Sequence, residues 1–298
     1  MTATTTDGIV QTGMPPGGAQ ATARAQTWRN FRRNPLGMVP AGILLLLVVV
    51  AVFAPLLADR PDRYGGEVLQ APSAAHWLGT DNLGRDILAE IVYGTRVSVT
   101  VAACASALAI LIGATVAVVG AWFRRLDAPV GFVVDLSLSL PVLPLMILVA
   151  ALAGPSIRNV VLVIAFFSWP EVTRVVRSQA LSVVGLPYMD AARLTGGSHL
   201  WTIRKHLVPA VAPIVVVSVV LTASRAVLSE AGLAFLGLSD PQNWSWGRVL
   251  FEAEQSGAMQ SAWWTTLFPS LAILLLVVSA SLLSIAYNDA RNPRRQER

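Results

Sequence analysis

Five long stretches of this chain carry no charged side chain: residues 34–58, 97–123, 136–157, 207–224 and 264–288. About 20 apolar residues, rising about 1.5 Å each, cross the roughly 30 Å of hydrocarbon in a bilayer. The first stretch contains the unbroken run Ile43 to Val50, and Pro141 and Pro144 bend or interrupt the third. A sixth, 159–170, is short but extends into Val172, Val175 and Val176 with charges at its end. Only 13% of the residues are charged, against about 25% in soluble domains. In hydrocarbon the backbone must satisfy its own hydrogen bonds, so the pattern predicts an all-α membrane protein with six transmembrane helices.

The distribution of Arg and Lys orients the bundle. Six spans with both termini cytoplasmic place fifteen of the 22 basic residues inside and six outside, in line with the positive-inside rule. The inside set includes Arg24, Arg29, Arg32, Arg33, Arg124 and Arg125, then Arg174, Arg177, Arg193, Arg204 and Lys205, and the tail arginines. Residues 1–27, rich in Thr, Gly, Ala and Pro, read as a disordered cytoplasmic tail. Segment 28–58 holds the first span as an uncleaved anchor, 59–96 is extracytoplasmic, 97–288 is the membrane core, and 289–298 is a cytoplasmic tail.

Several chemistries are missing. A phosphate-binding loop needs a lysine between glycine and Ser or Thr, and the one lysine, Lys205, stands between Arg204 and His206. Neither a nucleophile elbow nor an HExxH pair occurs. His76, His199 and His206 sit at no familiar metal spacing, and one cysteine, Cys104, allows no multi-cysteine site. No catalytic residue and no metal ligand is assigned. The basic residues are too scattered for a nucleic-acid face. Trp28, Trp77, Trp122, Trp244, Trp246, Trp263 and Trp264 fall near span ends, where indole suits the membrane interface.

Residues 182–209 are the most informative loop. Gly185 and Leu186 end a span, Pro187 is suited to opening a new helix, and Asp190 falls near its positive dipole end. Tyr188, Met189, Asp190, Ala191, Ala192, Arg193 and Leu194 continue it for about two turns, and Gly196-Gly197 stops it. Ser198 is placed to cap a second helix through Trp201 and Ile203 towards Pro209. The expected product is a short helix across the cytoplasmic ends of two spans. Leu186, Met189 and Leu194 offer apolar area, and Ala191 and Ala192 permit close approach.

Asp190-Ala191-Ala192, then Gly196 and Leu207-Val208-Pro209, resembles the EAA loop of ATP-binding-cassette importer permeases, with Asp in place of the usual Glu. Arg33-Asn34-Pro35, the segment His76 to Asp86, Tyr93-Gly94, Arg96-Val97-Ser98, Leu228 to Ala231, Phe235 to Leu238 and Ser245-Trp246-Gly247 are similar to the C-type permease subunit of dipeptide, oligopeptide and nickel importers. The resemblance covers roughly residues 28–294 and implies a type I importer permease fold in the bacterial inner membrane. It implies a second, homologous permease subunit, two cytoplasmic ATPases that hold ATP and magnesium, and an extracytoplasmic solute-binding protein. It also implies a coupling helix over Leu186 to Leu194, closed by Gly196, that inserts into a cleft of the ATPase.

Outside the core, Asp81 is placed to cap a surface helix with Leu83, Ile87, Glu90 and Ile91 at helical spacing. Two readings stay open there: a lid on the bundle, or a receiving surface for the binding protein with Asp81, Gly84, Arg85 and Asp86 in contact. Ionisable residues at membrane depth are functional candidates. Glu171, Arg174 and Arg177 are spaced three apart, so one ion-paired face near the cytoplasmic end is feasible. Arg225 and Glu230, five apart, are poorly placed to pair on one helix; Glu230 is expected to face protein, a neighbouring subunit included, and Asp135 the membrane edge. Glu171 and Arg225 stand where the resemblance leads one to expect small or uncharged residues. The function expected is the peptide-importing permease subunit of an ATP-driven complex, an ABC transporter component with no ATPase site of its own. The alternatives are an ion-gradient-driven secondary carrier, a transport-inactive scaffold, or a nickel or glutathione substrate within the same family.

Overall fold

The computed structural model describes residues 35–62 and 67–291. The tail expected over 1–27, Arg29, Arg32, Arg33, Arg63 and the last seven residues lie outside the described residues. Among those described, the only pairing of extended chain is an isolated antiparallel bridge between Thr80 and Asp86. The rest of the architecture is helical. α1 spans Pro35–Leu57, α2 Ile87–Trp122, α3 Arg124–Ser139, α4 Val142–Ala153 and α5 Ile157–Val184. α6 (Pro187–Leu194) and α7 (His199–Thr202) follow, and a π-helical turn, Ile203–Leu207, joins α7 to α8 (Val208–Phe235). α9 (Trp246–Gln255), α10 (Ala258–Ser261) and α11 (Trp264–Arg291) complete the order.

Among the described residues, five helical runs are long and apolar enough to cross a membrane: α1, α2, α5, the run His199–Phe235, and α11. α3 plus α4, which meet at 84°, form either a sixth, broken crossing or a re-entrant pair. Pro141 makes that break. Leu140 before it is extended, at φ −80° and ψ 146°, because a proline disfavours helical geometry in its predecessor. Pro144 falls in the first turn of α4, where its missing N–H has no intrahelical partner to lose.

The second span begins ten residues earlier than its charge-free stretch. The helix predicted to lie on the outer surface is the first three turns of α2, continuous with the span. Its cap is Asp86, not Asp81: the Asp86 carboxylate accepts from the N–H of Leu88 at 2.7 Å and of Ala89 at 3.3 Å. Nothing between Ile87 and Val97 breaks a helix, so the first turns propagate into the apolar run.

α2 is the axis of the bundle, packed chiefly against α5 and α8, with α1 and α9 also on it. One buried cluster, including Val118, Trp122, Val176, Met189 and Val211, fills the end near α6. A second, including Val101, Met146, Ile164 and Leu233, lies towards the other end. There α9 and residues 67–86 form a cap, and two glycines set its fit. The fully buried Trp246 ring lies where a side chain on Gly94 would stand, 2.9 Å from its Cβ position, and Gly247 lets α9 approach the Ala231 backbone, 2.6 Å from its own. The Trp246 indole donates to the Ile91 carbonyl at 3.1 Å, and the Trp264 indole to the Thr80 carbonyl at 3.0 Å. Trp122, Trp244, Trp246 and Trp264 are therefore buried packing residues and not an interfacial belt; Trp77 and Trp263 are exposed.

Candidate functional site

The first candidate is the short helix α6 at one end of the bundle. Pro187 is its first residue, as the loop sequence predicts, with Leu186 its N-cap and Thr195 its C-cap. Gly196 at φ +79° takes the chain out in the left-handed region that glycine enters without steric cost. Ser198 then caps α7, its hydroxyl accepting from the Trp201 N–H at 3.3 Å.

What fixes α6 is Met189. Its side chain is fully buried among Trp122, Val183, Leu207 and Val211, so it anchors the helix and does not add to the outward apolar area expected of it. Arg193 holds the other side, its guanidinium 4.5 Å from the centre of the Trp122 ring and 3.2 Å from Asp190. The Trp122 indole in turn donates to His199 Nδ1 at 3.2 Å. Trp122 and His199 are thus part of the α6 mount. No motif flags them, because the three segments meet only in the folded chain. Leu186, Tyr188, Asp190, Ala191 and Leu194 face outward, and Leu194 is 88% exposed. The helix is thus fastened to the bundle on one side and leaves apolar side chains exposed on the other.

The cap at the opposite end carries the second set. Asp81 and Arg85 are 6% and 4% exposed, and Gly84 is buried too, so these three turn inward and offer no contact surface. The Arg85 guanidinium bonds to Asp81 at 2.6 Å, lies 3.3 Å from Glu90, and bonds to Glu252 of α9. Burial pulls its pKa down, but the carboxylates of Glu90, Asp81 and Glu252 outweigh that and raise it, so the guanidinium is charged throughout. Arg248 bonds to Glu252 at 2.9 Å. The Trp244 ring lies 4.5 Å from the Arg85 guanidinium and 4.2 Å from that of Arg248. Asp81, Glu90 and Glu252 place carboxylate oxygens within 4.8 Å of one another, and the Arg85 guanidinium already bonds or pairs with each of them. Asp86 is half-buried, capping α2 and holding His76 Nδ1 at 2.9 Å.

The membrane charges resolve into cross-helix pairs. Glu171, Arg174 and Arg177 do not pair along α5. Glu171 bonds to Arg225 of α8, Arg174 to Asp135 of α3 at 2.6 Å, and Arg177 to Asp127 at 2.5 Å. Glu171 also stands midway along the 28-residue α5, and not near its end. Asp135, on α3, is largely exposed. Glu230 is 3% exposed and accepts from the Ser98 hydroxyl of α2 at 3.2 Å, so it faces its own chain and not a neighbouring subunit. Asp127 and Ser98 are the partners sequence reading missed; a distant partner leaves no trace in local spacing.

Known proteins match this chain in sequence over most of its length. Residues 77–296 match the family described as binding-protein-dependent transport system inner membrane component, and residues 22–72 match the N-terminal transmembrane domain of oligopeptide transport permease C. A dipeptide transport system permease protein of Alkalihalophilus pseudofirmus is 34% identical over 288 residues, covering 94% of both chains. A glutathione transport system permease protein of Escherichia coli O1:K1 is 33% identical over 279 residues, 90% of this chain and 89% of the relative. One of Pectobacterium atrosepticum is 33% identical over 273 residues, 90% of each. A bundle of five to six apolar crossings, matched over most of its length by one description, is a multi-pass inner-membrane protein: the chain belongs to the inner membrane components of binding-protein-dependent transport systems.

Proposed function

We propose that this chain is one of two non-identical permease subunits of an ATP-driven importer for short peptides. It forms half of the translocation route, with both termini and α6 in the cytoplasm. Two ATPase subunits, which bind the ATP and magnesium, dock on α6, and a solute-binding protein delivers substrate to the capped end. The observation that carries this is the mount of α6. Met189 is buried at its base and Arg193 lies on Trp122, while Leu186, Tyr188 and Leu194 are left free for a partner. A displacement applied there reaches α2, α5 and α8, because the same buried cluster joins their ends. ATP binding must favour one arrangement of these helices over the other for that to drive transport. The peptide assignment is supported by the names of the relatives, which carry dipeptides and glutathione.

Gly196→Pro tests the coupling. Proline fixes φ near −65°, and Gly196 needs +79°, so the exit from α6 is rebuilt while the spans are untouched. In proteoliposomes holding the complete complex, the variant is expected to insert normally and lose substrate-stimulated ATP hydrolysis and peptide uptake together. Wild-type coupling in the variant would refute the role given to α6.

A further inference from the structure

The Glu171–Arg225 pair has no role in the reading above. It joins α5 to α8, and its side chains remain 45% and 54% exposed. Glu171 is at the midpoint of α5, and Arg225 is ten residues, about 15 Å, from the capped end of α8. Half-exposed charges at this depth are costly against lipid, so the face that carries them meets water or protein.

Other polar residues share that face, interleaved with Phe167 and the exposed Val175. Ser168, Glu171, Arg174 and Ser178 recur along α5 every three or four residues, all half-buried or exposed, which puts them on one stripe of the helix. Arg174 extends the row to Asp135 at 2.6 Å. Two guanidiniums and two carboxylates then lie along one surface, each neutralised by its neighbour. A ring of single-sign charge would select one ion sign. A charge-balanced row instead offers a donor for a carboxylate beside an acceptor for an ammonium.

Resting on the permease reading above, we propose that Glu171 and Arg225 line the transmembrane route and read the charged termini of a zwitterionic peptide. Arg225 takes the peptide carboxylate and Glu171 its α-ammonium. The two residues hold each other while the route is empty and exchange that contact for the substrate's two ends. The exchange keeps every charge at the site paired, which limits the desolvation cost of moving a zwitterion through the membrane.

The test uses the full complex in nanodiscs without the binding protein, so that only the membrane site is read. In a Cys104→Ala background, Ser168→Cys is expected to react with membrane-impermeant charged methanethiosulfonates many times faster than Leu46→Cys on α1. Equal, slow reaction would put this face against lipid or protein and overturn the inference. Equilibrium binding is then measured with radiolabelled trialanine, its C-terminal amide and its N-acetyl derivative. Arg225→Gln is expected to weaken trialanine about ten- to a hundredfold and leave the amide unchanged; Glu171→Gln is expected to do the same relative to the N-acetyl peptide. The double variant E171Q/R225Q leaves no unpaired charge to unfold the bundle and should bind all three peptides equally weakly. No trialanine binding to the wild type, or equal effects on all three peptides in the single variants, would reduce the pair to a helix tie and overturn the inference. A complete wild-type system that hydrolyses ATP and imports no peptide would instead sink the permease reading, whatever the labelling shows.

Discussion

Met189→Ala isolates the mount of α6 from everything else the helix does. The Met189 side chain is fully buried, and removing a buried methionine to Cβ costs about 2–5 kcal/mol. The other fastening is Arg193 on Trp122, worth about 0.5–2 kcal/mol. An eight-residue helix is too short to persist undocked, so losing Met189 removes most of what holds it. The loss converts to roughly a 30-fold or greater rise in the undocked population at about 1.4 kcal/mol per decade. Hydrogen exchange of the complete complex in nanodiscs reads this directly. Amides of 189–196 should exchange at least about 30-fold faster, with α2 unchanged. Leu194→Ala is the control: at 88% exposed it should weaken ATPase binding, yet leave exchange of α6 untouched once the ATPases are stripped from both variants, where Met189→Ala still accelerates it. Unchanged exchange in Met189→Ala, or acceleration spread through α2 and α5, would show that α6 is not a separately docked unit.

Two further perturbations address the cap. Arg85→Ala leaves Asp81, Glu90 and Glu252 facing one another without their shared cation; breaking a buried ionic set costs about 3–5 kcal/mol, so the thermal midpoint of the purified complex should fall by several degrees while Arg248→Ala, at the cluster's edge, lowers it less. Gly247→Val drives a branched side chain into the Ala231 backbone, 2.6 Å from the new Cβ, and overpacking costs about 1–3 kcal/mol or more; limited proteolysis should cut within 236–263 in that variant and not in the wild type.

The spans and α6 were legible because their signals are local. Charge-free length gives a crossing, a proline after Leu186 opens a helix, and Gly196 closes it. Pro141 announced the break in the third crossing, but not the 84° it produces, which is set by what α3 and α4 pack against. The start of α2 was misplaced because charge marks where a membrane begins, not where a helix does. Asp86, Arg85 and Glu90 are charged, yet the helix runs straight through Glu90, whose carboxylate lies 3.3 Å from the Arg85 guanidinium. The ion pairs were the least legible feature. Glu171 and Arg225 are 54 positions apart, and spacing along α5 pointed instead to partners three residues away.

The same contrast bears on how the chain would move. α2 runs unbroken for 36 residues, about 54 Å, from Ile87 in the cap to Trp122 beneath Arg193. Its two ends are tied by different means: a buried ionic set under α9, and a methionine with a stacked guanidinium under α6. Packed helices transmit displacement because interiors close-packed to crystal density do not compress. α3 and α4 are attached otherwise. Their bend is two extended residues wide, Leu140 and Pro141, and α3 is held to α5 partly by the exposed Arg174–Asp135 pair, which in water is worth little. In the coupling proposed above, a push on α6 carries α2, α5 and α8 as one body, the Glu171–Arg225 pair included, and the bend at Pro141 is the joint at which α3 and α4 move against it.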